Sequence, residues 1–457
     1  MNEAASGEAV GTRRALATST CVGWGVGTLA VAALFNAVNV LLLRYLVDFV
    51  GISATLAGSL IGFSKIYDTI VDPAVGTFSD RIRSPIGRRR PFLLVGGLMM
   101  AVASLVLFNV PGGLGSLAKV IYVVVALLLY ATSYAAFSVP YMAMPAEMTN
   151  DPQERSRLIS YRIYAVAVAS LISTFVGPVL IAWGGGGQTG HTIMSIFVTA
   201  VVVAGTLVCF RFTRDAPFHY AATEVRIGLW HKLRLLASNR PFMVMLVIKL
   251  FQLTALAVTQ AAMPFLFKGV LRLSDALLGV YFLIFYGSMI FMQPLWLRLA
   301  GRHGKRNMFL WTCIVYALLY LTWYFIKPGE PIALVLLRGL VLGSFGGATL
   351  LFGQSLLPDT MEWDYRRTGL RREGLLSAVY TMIEKLSYAL GASITGIVLG
   401  RSGYVQGMGK ALGAQPPSAI EAMYWLGSIL PMLLLLASCV ALLFYNLTEA
   451  KLAEAGA

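Results

Sequence analysis

Acidic side chains are scarce in this chain: 21 aspartates and glutamates stand against 36 lysines and arginines, and all charged residues together make up only 12% of its 457 positions. A soluble protein of this length would carry about 25%, so the composition excludes one. Cysteine is equally thin. Cys21, Cys209, Cys313 and Cys439 lie far apart in or beside apolar stretches, without metal-type spacing, which excludes a disulfide framework. His191, His219, His231 and His303 sit in or beside polar connections, so no zinc or haem ligand set is expected. No nucleophile–base constellation marks an enzyme. No polar connection exceeds about 30 residues, too short for a separate catalytic or ligand-binding domain. Met1–Arg14 is polar, lacks the apolar core of a signal peptide and leads into an apolar run too long to be cleaved.

What fills the chain instead is hydrocarbon: 58% hydrophobic residues and a mean hydropathy of +0.74. Crossing a bilayer core takes roughly 20 apolar residues. Runs of that kind recur at 21–49, 54–79, 92–111, 119–145, 161–183, 191–211, 241–267, 276–298, 307–327, 331–357, 376–400 and 420–446. The expected fold is an all-α polytopic membrane protein with twelve transmembrane helices.

The net charge of +15 could suggest nucleic acid, but its placement argues otherwise. Of the 36 basic residues, 24 fall on the side shared by both termini, 6 on the opposite side and 6 within spans. Such asymmetry is the positive-inside pattern. It predicts a multi-pass protein of the cell (inner) membrane with both termini cytoplasmic, surrounded by lipid, monomeric and without a nucleic-acid partner. The longest basic connection divides the spans six and six. It predicts an N-terminal bundle at 1–211, a central cytoplasmic loop at 212–240 and a C-terminal bundle at 241–457, the layout of transporters built from repeated halves. Pro73, Pro140, Pro178, Pro264 and Pro294 lie inside spans, where ordinary curvature is expected.

The few polar residues at bilayer depth carry the functional signal. Lys65, Asp68 and Asp72 share one helical stripe at i, i+3 and i+7. A carboxylate at the bilayer centre costs about 2.5–3.5 kcal/mol on insertion scales, so two on one face indicate a pathway or an ion site. Lys65, one turn from Asp68, is expected to form an intrahelical ion pair. Glu384 and Lys385 are adjacent in the eleventh span and point about 100° apart, so one can line a cavity while the other packs sideways; Lys385 is the candidate to face the aspartates. Arg44 and Arg338 lie near span ends, where snorkelling to the interface is expected. Desolvation and mutual repulsion favour a bound proton on paired carboxylates and a nearby cation opposes it, so proton affinity can change as helices move. Sodium would want several oxygen ligands, and Val71 between the acids supplies none, which favours H+ over Na+ as coupling ion.

Candidates for a substrate pocket are Asn36, Asn39, Tyr134, Ser138, Arg162, Lys249, Gln252, Gln260, Gln354, Tyr380 and Thr381, with Trp24 or Tyr141 as an aromatic platform. Arg162 and Lys249 would suit a carboxylate, sulfonate or phosphate on the substrate.

Three ordered sets of residues resemble one known family. The first runs from Tyr67 through Asp68, Asp72, Pro73, Gly76, Asp80, Arg81, Gly87 and Arg88 to Pro91. The second runs from Asp364 through Gly369, Arg371, Glu373 and Gly374 into Lys385. The third joins Val139, Pro140 and Tyr141 to Arg155, Arg157, Tyr161 and Arg162. Over nearly the whole chain the sequence is similar to the glycoside-pentoside-hexuronide:cation symporters of the major facilitator superfamily, whose familiar member is the melibiose permease. The resemblance implies the major facilitator fold, with two six-helix bundles. It implies cation-site roles for Asp68, Asp72 and Lys385, a sugar-pocket role for Arg162, and a cytoplasmic latch made by Asp80, Arg81, Arg88, Arg89 and Arg90. Val71 replaces the asparagine of melibiose-type members, Ser138 and Met142 stand where an acid and an aromatic help hold the sugar, and the first span offers Asn36 and Asn39 in place of an acid.

The expected activity is cation-coupled symport of a small polar solute (a sugar, glycoside or sugar acid) by alternating access, with no cofactor beyond the coupling ion, no metal site and no enzymatic step. An amphipathic cargo such as a lysophospholipid is the alternative within the fold. A non-transporting membrane sensor is the alternative outside it.

Overall fold

A backbone in lipid must satisfy its own hydrogen bonds, and each apolar run accordingly winds into a helix. A computed structural model describes residues 16–82, 84–149, 151–216, 239–368, 373–407 and 415–447. Twelve helical rods follow in chain order. They are α1 Thr18–Ala37, α2 Ala54–Arg81, α3 Arg90–Phe108, α4 Ser116–Met148, α5 Pro152–Leu171 with Gly177–Trp183 and α6 Gln188–Phe212, then α7 Arg240–Phe265, α8 Asp275–Phe291 with Gln293–His303, α9 Lys305–Tyr320, α10 Ile332–Thr368, α11 Glu373–Arg401 and α12 Pro417–Tyr424 with Leu430–Leu443. Most of the expected central loop, 212–240, lies outside the described residues.

By length and composition nine of the described helices can cross a membrane, ten when the two pieces of α8 are joined. The other two rods fall short for different reasons. In α2, Lys65, Asp68 and Asp72 interrupt the apolar run, and α9 has only 16 residues before its last turn tightens.

Capping fixes where several rods start. Ser53, Asp151, Asn239 and Ser274 each accept a hydrogen bond from a backbone N–H in the first turn of α2, α5, α7 and α8. Gly51, at φ 81°, ends the extension of α1 in the left-handed region. Proline does more than bend the rods. Pro178 and Pro431 follow wide π turns at Ile172–Val176 and Trp425–Ile429, Pro264 precedes another at Leu266–Val270, and Pro294 sits at the 42° break of α8. A proline lacks the N–H for its place in the ladder, and a widened turn absorbs the misfit. Pro73, by contrast, lies within a continuous α2.

The rods form two six-helix bundles, which meet along α2 against α11 and along α5 against α8. Small residues set how closely α2 and α11 approach. A Cβ added to Gly58 would lie 2.6 Å from the Ala392 carbonyl oxygen and 2.8 Å from the Gly396 Cα, and one on Gly62 would overlap the Ser393 hydroxyl. Gly58 and Gly62, like Gly396 and Gly400, have the four-residue spacing that lets membrane helices touch along their backbones. Gly58→Leu is therefore expected to lower the melting temperature of the purified protein, because overpacking a tight seam costs about 1–3 kcal/mol. An unchanged melting curve would remove this seam from the account.

The bundles are clasped at the end remote from the basic loops. Arg44 pairs with Asp275 of the other bundle and, at 3.3 Å, with Asp48 on its own helix. Asp48 accepts a hydrogen bond of 2.8 Å from the Tyr404 hydroxyl, and the Gly407 N–H donates to the Val47 carbonyl at 2.9 Å. Arg44 is thus buried between acids from both halves, so the expected snorkelling is wrong: its partner lies 231 residues away in sequence. Arg338 does not snorkel freely either, forming a two-pronged pair with Glu330 at 2.6 and 2.8 Å. Exposure of the polar residues changes along the rods. Thr77, Gln354, Ser377 and Thr381 are exposed toward the basic end, whereas Ser64, Thr349, Ser387 and Thr395 are buried nearer the clasp.

Candidate functional site

At mid-depth on the α2–α11 seam, Lys385 reaches across from the second bundle to both acids of the first. Its Nζ hydrogen-bonds Asp72 Oδ2 and lies 4.0 Å from Asp68 Oδ2. Asp68 is 2% exposed and Asp72 25%, so the pair is graded from sealed to partly exposed. The remaining oxygen of each, Asp68 Oδ1 and Asp72 Oδ1, is buried without a hydrogen-bond partner among the described residues. The Tyr134 ring lies 5.8 Å beneath Lys385.

Lys65 shares the stripe but not the expected partner. It donates to the Tyr130 hydroxyl at 3.1 Å and stands 4.7 Å from the centre of the Phe35 ring, with no ion pair to Asp68. Aromatic faces stabilise a desolvated ammonium, and α1 and α4 bring two of them to Lys65, the rings of Phe35 and Tyr130. Counting Lys65, Lys385, Asp68 and Asp72, the site carries no net charge.

Glu384, one residue before Lys385, points the other way. Its charge is felt by Lys249 on α7 and Arg162 on α5, although it pairs with neither. The Lys249 Nζ is 5.4 Å from the centre of the Tyr380 ring.

The pocket candidates divide. Asn36 donates to the Ala32 carbonyl and to Ser170, fastening α1 to α5, and Gln260 donates to Tyr286 at 2.7 Å. The Asn39 amide nitrogen, Arg162 Nε, Lys249 Nζ, both Gln252 amide atoms and the Tyr380 hydroxyl are buried without partners among the described residues. Gln354 and Thr381 are exposed, and Ser138 and Tyr134 are half-buried.

Trp24 and Tyr141 are not an open platform. Their rings stack 4.8 Å apart, the Tyr141 hydroxyl donates to the Trp24 carbonyl at 2.6 Å, and the Trp24 indole N–H donates to the Tyr141 carbonyl at 3.3 Å. With polar tips mutually satisfied and exposures of 0% and 2%, the pair belongs to the α1–α4 core. The aromatics that do surround the charged site are Phe35, Tyr130, Tyr134 and Tyr388, with Phe35 edge-on to Tyr388 at 5.0 Å. Of these only Tyr134 was flagged by the sequence, because nothing in a run of apolar residues says which aromatic faces inward.

The basic loop after α2 folds back on its own bundle. Arg88 and Arg89 both hold Glu147 at the end of α4, Arg89 also holds Asp80 at 2.5 Å, and Arg90 donates to the Phe210 carbonyl on α6 at 2.7 Å with its guanidinium over the Phe210 ring. Arg81 is exposed. These contacts lie within the first bundle. The acid organising them, Glu147, escaped the sequence reading because it lies just past the apolar run. The stretch Gly369–Arg372 of the second family-like motif is outside the described residues.

A family profile described as MFS/sugar transport protein matches residues 23–449. Over 448 residues the chain is 27% identical to the glucuronide carrier protein homolog of Escherichia coli (strain K12), covering 96% of this chain and 94% of that protein. Over 438 residues it is 25% identical to the inner membrane symporter YicJ of the same organism, covering 94% and 92%. Among solved structures, the D-xylose-proton symporter superposes with a TM-score of 0.68 at 16% identity, over 95% of this chain and 98% of that one, a likeness of fold.

Proposed function

The chain belongs to the MFS/sugar transport protein family, and on that premise we propose that it is a cation-coupled symporter of a sugar, glycoside or sugar acid, driven by protons across the inner membrane. The basic end, with both termini, is cytoplasmic on this reading, so the conformation described is open inward. The observation that carries it is the bridge from Lys385 to Asp72 and Asp68, which ties the halves 1–211 and 241–457 together at the depth where a coupling ion would bind.

A proton and the Lys385 ammonium compete for the same carboxylate oxygens. With the proton on an aspartate the carboxylate is neutralised, and the loaded halves can rock. Once the proton is released to the cytoplasm, Lys385 takes its place and permits the return. Asp72, the more exposed of the two, is the acceptor that a proton reaches first. The cytoplasmic latch of Asp80, Arg81 and Arg88–Arg90 acts in the opposite, outward-open state, where these arginines can exchange partners with the second half. Arg162 has Tyr134 and Glu384 as electrostatic neighbours, a polar setting that suits a hydroxylated substrate better than a lysophospholipid.

Proteoliposomes with an alkaline interior and no sodium, offered radiolabelled D-glucose, D-xylose and D-glucuronate, are expected to accumulate at least one of them. Accumulation that follows a sodium gradient alone would overturn the choice of ion. No accumulation under either gradient would overturn symport of sugars.

A further inference from the structure

Inside the second bundle, apart from the aspartate bridge, three neighbouring buried groups have no hydrogen-bond partner among the described residues. Lys249 on α7 is 1% exposed, and its Nζ has neither a hydrogen bond nor an ion pair among the described residues. Gln252, a helical turn along the same face, is 5% exposed with both amide atoms unpartnered. Tyr380 on α11, 7% exposed, lies under the Lys249 ammonium with its own hydroxyl unpartnered. The two helices are fastened beside the cluster by Ser387, which donates to the Leu250 carbonyl at 3.4 Å. On the α10 side Gly353 leaves room, since a Cβ there would come within 2.7 Å of the Gln252 amide oxygen.

An ammonium, an amide and a phenol held together in a dry place are an arrangement of donors awaiting an oxyanion. Desolvated donors without acceptors destabilise a fold, a charged one most of all, and polar groups of this kind at bilayer depth mark substrate sites. Glu384 lies within electrostatic reach of both Lys249 and Arg162.

We propose that Lys249, Gln252 and Tyr380 form an anion subsite in the second bundle that receives the carboxylate or sulfonate of an acidic monosaccharide and so selects acids over neutral sugars. Glu384 is the resident anion with which that group competes. The assignment rests on the sugar-symport reading and narrows its substrate class.

The test uses the purified full-length protein titrated with D-glucose, D-glucuronate and 6-deoxy-6-sulfoglucose, which share a ring and differ in charge. At least one acid is expected to bind about 10-fold or more tightly than glucose. Lys249→Met is expected to weaken the preferred acid by about 10- to 100-fold, the usual loss for a charge-assisted contact, and glucose by much less, so that the acid-to-glucose ratio falls. Glu384→Gln is expected to tighten the acid several-fold, a gain that a merely structural role would not produce and a readout that stands even if Lys249→Met fails to fold. The two acids separate carboxylate from sulfonate recognition. Glucose binding as tightly as both acids, or an acid-to-glucose ratio indifferent to Lys249→Met and Glu384→Gln, overturns the subsite. Gradient-driven accumulation of glucose together with that result would leave symport standing, whereas absence of binding and of accumulation for all three would bring down the symport reading and the subsite with it.

Discussion

Asp72→Asn is expected to reduce proton-driven accumulation to simple equilibration while substrate exchange across the membrane stays measurable. The asparagine keeps the size of the side chain and a hydrogen-bond acceptor for Lys385, but it cannot take up a proton. A proton crossing a potential of about 150 mV supplies about 3.4 kcal/mol, enough for roughly 300-fold accumulation, and all of that is lost when the proton no longer travels with the solute. Exchange needs only a loaded carrier that reorients, so it survives. Asp68→Asn removes the deeper of the two acids and is expected to lose accumulation as well, with a larger loss of stability, because Asp68 is almost fully buried beside Lys385. The measurement is uptake and counterflow of the same labelled sugar in the same vesicles. Proton-dependent uptake unaltered in both variants would sink the coupling assignment.

Arg44→Gln is expected to open the far side. Removing the guanidinium leaves Asp48 and Asp275 buried without their cation, and breaking a buried pair in this way costs about 3–5 kcal/mol. The Asp275 pair crosses the halves, so it exists only while that end is shut, and most of the penalty falls on the inward-open state. At about 1.4 kcal/mol per decade, the balance moves by roughly two to three powers of ten toward the outward-open state. Spin labels placed on either side of the clasp should report longer distances in the variant. The double variant Arg44→Gln with Asp275→Asn is expected to recover part of the closed population, since it removes the orphaned carboxylate. Distances unchanged from wild type would show that the clasp is ornamental to the conformational equilibrium.

The sequence made the rods legible because lipid leaves the backbone so few options. It also made the aspartate stripe legible, since charge in an apolar run has little other use. A hydropathy criterion nevertheless discounts α2, for the same reason that α2 matters: Lys65 and the two acids dilute its apolar character. Partners distant in sequence were harder. Arg44 read as a snorkelling residue because Asp275 comes from the other half of the chain, and Lys65 read as an aspartate partner because the aromatic faces of Phe35 and Tyr130 arrive from other helices. Trp24 and Tyr141 read as a platform because a sequence shows that an aromatic is present, not that its polar tip is already satisfied. The glycine spacing on α2 was a readable signal for its close contact with α11, and Asp48, four residues after Arg44, was a readable partner for it.

Successive positions on α11 face different neighbours: Lys385 meets Asp72 and Asp68, the ion site on the proposed reading, and Glu384 the cations Lys249 and Arg162. A small roll of that single rod would disturb both environments at once, so occupancy of either site biases the other through a shared rigid body. Thermodynamic linkage then makes the effect mutual: acidification should sharpen affinity for the sugar by the same factor by which the sugar sharpens affinity for the proton.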